Sequence, residues 1–62
     1  MKELTQEIKS RLDNIDENLY PRIAETIKTT NGYDYVADMM VNMMLSDRMS
    51  PGATIYHIEN ML

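Results

Sequence analysis

Residues 36–45 read Val-Ala-Asp-Met-Met-Val-Asn-Met-Met-Leu, and only Asp38 and Asn42 interrupt the apolar run. At about 100° per residue, Asp38, Asn42 and the following Ser46 fall within an arc of roughly 80°, so a helix here is apolar on most of its circumference. A helix of that kind needs cover on nearly every side. The fold therefore turns on what the rest of the chain can supply.

The rest is short. The sequence has 62 residues, which predicts one domain over 1–62 and a small interior. Cysteine is absent, so disulfides and thiolate metal sites do not stabilise it. A single histidine provides no zinc cluster. Below roughly 70–80 residues a lone core rarely supplies more than about 3–5 kcal/mol, so close helix packing or oligomerisation is the expected source of further stability.

Outward from the methionine run, the N-terminal segment is amphipathic. Leu4, Ile8, Leu12, Ile15 and Leu19 recur at spacings of four, four, three and four, which places them on one stripe of a helix. Glu7 and Arg11 form a favourable i,i+4 pair on the outer side, and Lys9 with Asp13 the weaker reversed one. Tyr20-Pro21 is the first break. It is compatible with a new helix capped by Asn18 and with a kink in a continuous one, since Ile23 and Ile27 keep the same rhythm. Thr29-Thr30-Asn31-Gly32-Tyr33-Asp34 closes that region as a helix end and a short connection. The methionine helix then runs from about Asp34 to Leu45, with Asn31 or Asp34 as its cap. Ser50-Pro51 is a cap followed by the first helical position, and the last helix carries Ile55, Ile58 and Leu62 inward with Met61 beside them. The expected fold is all-α: a small bundle of three to four short helices, completed by oligomerisation if its own helices do not cover the methionines.

Two packings meet that condition. Either the amphipathic segments wrap the methionine helix, or part of it faces a second copy or another protein. The second is preferred. Small bundles bury a fully apolar helix with difficulty, and methionine is unbranched, polarizable and frequent on surfaces that adapt to partners. The candidate interface residues are Val36, Met39, Met40, Met43, Met44 and Met49. Tyr20, Tyr33 and Tyr35 are expected mainly to seal the ends of the core.

Charge narrows the function classes. Net charge is −4 and pI about 4.6, which disfavours nucleic acid and anionic lipid as partners. No segment approaches the roughly 18 apolar residues of a membrane span, and Met1–Ser10 is too polar for a signal peptide, so the cytoplasm is the expected compartment. Glu3, Glu7, Asp13, Asp16, Glu17, Asp34 and Asp38 form a candidate acidic face. Such a face suits an inhibitor that occupies the basic channel of a nucleic-acid-handling enzyme, although the same acids serve solubility.

Catalysis has little to rest on. His57 lies about 200° from Ile55 on its helix, away from the apolar stripe, and Ser46 and Ser50 sit where helix ends and caps need serine. Asp34 and Asp38 are one turn apart without a ligand loop around them. Gly32 and Gly52 are the only glycines, so no phosphate-cradling loop exists. The expectation is a non-enzymatic protein, without metal or cofactor, that binds itself or a protein partner as a regulator, adaptor or inhibitor. A second expectation is a helix-turn-helix nucleic-acid-binding regulator, with Thr54, His57 and Asn60 facing bases. From residue 34 onward, however, only Arg48 is available for phosphate contacts.

Overall fold

The computed structural model describes the backbone of residues 2–62 and the side chains of residues 6–62. Leu4, assigned to the apolar stripe, and Glu3, assigned to the acidic face, have side chains outside the described set. Four helices follow one another: α1 (Lys2–Asp13), α2 (Pro21–Thr26), α3 (Gly32–Ser46) and α4 (Pro51–Met61), and no strand occurs among the described residues. The chain is an all-α bundle.

Helix α1 stops six residues short of Leu19, and the reason is local. Asn14 donates its side-chain amide to the Ser10 carbonyl at 2.9 Å. Asp16 then accepts the Asn18 N–H on its carboxylate at 2.8 Å and the Tyr20 N–H on its carbonyl at 2.8 Å. That Asx turn offers the backbone better partners than another helical turn would. Ile15 is consequently only half-buried, and Leu19 is 67% exposed instead of lying on the core stripe. Proline opens α2 at its first position, so Pro21 separates two helices and does not kink one. Asn18 is not the cap. Tyr20 holds that place, and its side chain makes no capping hydrogen bond.

Helix α3 begins at Gly32, two residues before the expected start at Asp34, and Asn31, one of the two cap candidates, holds the cap position. Asn31 lies in the left-handed region at φ 65°, and its side chain makes no cap bond. Gly32 is buried against the end of α2, where a Cβ would overlap the Thr26 carbonyl oxygen and the Thr29 hydroxyl. Only glycine lets the two helices approach this closely. At the far end, the N–H groups of Asp47 and Met49 both donate to the Met43 carbonyl, and Arg48 adopts φ 55°. Ser50 caps α4 as its sequence implies, its hydroxyl accepting the Ala53 N–H at 3.2 Å.

Helix α3 packs against each of the other three, and α2 also meets α4. Ile8, Leu12, Ile23, Val36, Met40, Ile55 and Ile58 form the core cluster. Among the described residues no buried side-chain polar atom lacks a partner. Met61, expected beside Ile58 and Leu62, is exposed, and Leu62 is half-buried. Thr54 takes the inward place at the start of α4 instead.

Candidate protein-interaction surface

The bundle consumes one side of α3. Val36 and Met40 are both 0% exposed, so these two candidate interface residues are core and have no surface to offer a partner. They point along the line where α1, α2 and α4 converge on α3. Met39, Met43 and Met44 are half-buried and pack against the core from its flanks, and Met49 is half-buried beyond the helix end. Most of the methionine surface is therefore spent within the chain, as expected where flexible side chains fill an irregular interior. Tyr33 and Tyr20 are half-buried against the core, but Tyr35 is exposed and does not seal it.

What α3 leaves open lies around the helix from the methionines. A groove of about 260 Å³ runs between α1 and α3, floored by Ile8, Tyr33, Ala37 and Val41 and edged by Lys9, Asp34 and Asp38. Leu45 follows Val41 by one turn and is 53% exposed, so the apolar strip continues past the groove onto open surface. Tyr33 ties one end of this region together. Its hydroxyl donates to the Asp13 carboxylate at 3.2 Å, linking the start of α3 to the end of α1. Burial, followed by the Asp13 charge, raises the Tyr33 phenol above its ordinary value.

Ala37, Val41 and Leu45 were not among the residues singled out from sequence. The signal that finds them is positional: once Val36 and Met40 are assigned inward, these three fall one turn apart on the neighbouring face. The eye is drawn to methionine, whereas the open strip is made of alanine, valine and leucine.

The acidic candidates do not form one free face. Glu7 pairs with Arg11 at 3.1 Å and Glu17 with Lys28 at 3.1 Å. Asp13 receives the Tyr33 hydroxyl, and Asp16 receives the Asn18 N–H. Asp34 and Asp38 remain together on the groove edge. Among the described residues no group of three or more His, Cys, Asp or Glu is placed to hold a metal ion.

The side chains that would face bases from α4 are placed differently from one another. Thr54 is buried and donates its hydroxyl to the Ser50 carbonyl at 2.8 Å. Asn60 turns back to the Tyr56 carbonyl at 2.9 Å, and His57 is exposed. No lysine or arginine lies on α4. A second cleft of about 290 Å³ opens between α1, the following turn and α4, with Ser10, Arg11, Asn14 and Asp16 among its walls. No described helix is long and apolar enough to cross a membrane.

No protein-family model, no curated protein and no solved structure matches the chain.

Proposed function

We propose that the chain is a non-enzymatic protein-interaction module, a small cytoplasmic regulator, adaptor or inhibitor that binds itself or a protein partner through the outer face of α3. One observation carries the reading: Leu45 stands 53% exposed at the end of the apolar groove over Ala37 and Val41, on a molecule with little surface to spare. A concave apolar floor with charged edges and a protruding aliphatic side chain beside it has the anatomy of a docking site.

The test is hydrophobic-dye fluorescence and solution mass of the wild type and Leu45→Asp, with circular dichroism as the control for folding. Dye binding or self-association in the wild type, lost in the variant at unchanged helicity, supports the module. A wild type that neither binds dye nor self-associates refutes it.

A further inference from the structure

Both clefts border the same helix. The groove of about 260 Å³ lies between Ile8 and Lys9 of α1 and Ala37 and Val41 of α3. The cleft of about 290 Å³ lies between Ser10, Arg11 and Asn14 on one side and Gly52 and Ile55 of α4 on the other. Helix α1 therefore has open space along two of its sides. It packs chiefly on α3, whereas α2, α3 and α4 each pack against the other two. Among the described side chains of α1 only Ile8 and Leu12 are buried.

We infer that α1 is a detachable cover, which undocks from α3 as a unit while α2, α3 and α4 stay folded, with the Tyr33 hydroxyl on Asp13 as its latch. The inference concerns how α1 is held and does not depend on what binds the outer face of α3. The three other helices have a core of their own in Ile23, Val36, Met40, Ile55 and Ile58. The Glu59 carboxylate ties α4 to the Arg22 and Ile23 N–H groups of α2, and Arg22 donates to the Leu62 backbone oxygen. None of these hydrogen bonds involves α1. The hinge is the connection 14–20. Its Asx turn closes on Asp16, and Ile15 and Tyr20 pack against the core, so the turn keeps its place without α1. Across the α1–α3 seam the one polar tie among the described residues is the Tyr33 hydroxyl on Asp13, at 3.2 Å. Release of α1 would widen the groove over Ala37 and Val41 into an open apolar face of α3.

Release and global unfolding respond differently to a change made far from α1. A helix of twelve residues does not persist in water without its support, so the amides of α1 exchange with solvent once it leaves. The contact between Glu59 and α2 is intact in both the closed and the released molecule. Weakening it leaves the release equilibrium unchanged and favours only global unfolding. In an all-or-none molecule the same change would speed every core amide alike.

The experiment is amide hydrogen exchange of the full chain, followed by nuclear magnetic resonance at several low urea concentrations. It compares the wild type with Tyr33→Phe, Glu59→Gln and the stronger Glu59→Ala. In the wild type the amides of residues 8–13 should share one level of protection, about tenfold or more below the best-protected amides of α3 and α4. Their dependence on urea should be weaker, because less surface opens. The Glu59 variants should speed exchange in α3 and α4 by about threefold or more and leave α1 unchanged, and Tyr33→Phe should speed α1 by about threefold or more. The proposal is overturned if α1 shares the protection and urea dependence of α3 and α4, or if the Glu59 variants speed α1 together with them. Protection that climbs residue by residue from Ile8 to Asp13 would mean end fraying and also overturns release as a unit. Unchanged α1 exchange in Tyr33→Phe overturns the latch.

Discussion

Glu59 caps the helix that Ile23 begins to bury. From α4, its carboxylate accepts the backbone N–H of Ile23 at 2.9 Å and that of Arg22 at 3.0 Å. These are donors of the first turn of α2, which has no partner within its own helix for them. The Tyr20 side chain does not fill the role, so Glu59, 36 positions beyond Ile23, does. Arg22 reciprocates by donating its guanidinium to the Leu62 backbone oxygen at 2.9 Å.

Replacing Glu59 therefore strikes two elements at once. A hydrogen bond to a charged group contributes about 1.5–3 kcal/mol, and Glu59→Ala also leaves the N–H of the fully buried Ile23 without its acceptor. Urea unfolding should show a loss of about 2–3 kcal/mol for Glu59→Ala and a smaller one for Glu59→Gln, which keeps one acceptor oxygen. A loss below about 0.5 kcal/mol in the alanine variant would mean that water replaces the carboxylate at no cost.

The two glycines separate close approach from free space. Gly32→Ala drives a methyl into the Thr26 carbonyl and the Thr29 hydroxyl, and the end of α2 must shift to admit it. Overpacking of this kind destabilises by about 1–3 kcal/mol. At Gly52, in the first turn of α4, a Cβ meets nothing within 4 Å, and φ is not positive. Gly52→Ala should stabilise by about 0.4–1 kcal/mol, mainly by reducing the freedom of the unfolded chain. Thermal melts of the two variants should move in opposite directions.

Local patterns made the helices legible, and long-range partners accounted for what was missed. Ser50-Pro51 is a self-contained start signal, with cap and first helical residue adjacent, and α4 begins there. Tyr20-Pro21 is not self-contained, because the groups that stabilise the start of α2 come from Asp16 before it and Glu59 far after it. A four-residue rhythm running through Leu19 cannot register either. The methionine run was legible as the central helix, since its lack of a wide polar face demands neighbours on several sides. Which methionines face inward was not. Met40 and Met43 differ in burial through the positions of α1, α2 and α4 around them, and those positions depend on the turns at Asp16 and Gly32.

Tyr33 should make the protein sensitive to alkali. Its raised phenol means that the folded state holds the proton more tightly than the unfolded state. The stability this contributes is fully present below the ordinary tyrosine value of about 10 and is lost as pH rises through the higher folded value. In an ultraviolet titration Tyr33 should ionise above the ordinary tyrosine value, and Tyr33→Phe should remove that late step. The same variant lacks the hydroxyl that reaches Asp13, so its stability below pH 9 should be lower while its decline above pH 10 is shallower. An unchanged late step in Tyr33→Phe would assign the retained proton to another tyrosine.

Met40 and Leu45 lie on the same helix, five residues apart, and should respond oppositely to the same substitution. Met40 is 0% exposed between Val36 and the core of the other helices, so Met40→Ala opens a cavity and should cost about 2–5 kcal/mol. Met40→Asp adds an unpaired buried charge and should abolish the fold. Leu45 is half open to solvent, and Leu45→Asp should leave the monomer folded, with a stability change within about 1 kcal/mol in chemical denaturation at low protein concentration. Self-association through the outer face of α3, one form of the proposed function, would favour the folded state by mass action, so the wild type would then gain stability over that variant at high concentration. Denaturation midpoints read at two protein concentrations separate these effects. A midpoint that rises with concentration in the wild type but not in Leu45→Asp places the leucine at the contact, and parallel curves would leave it a solvent-facing side chain.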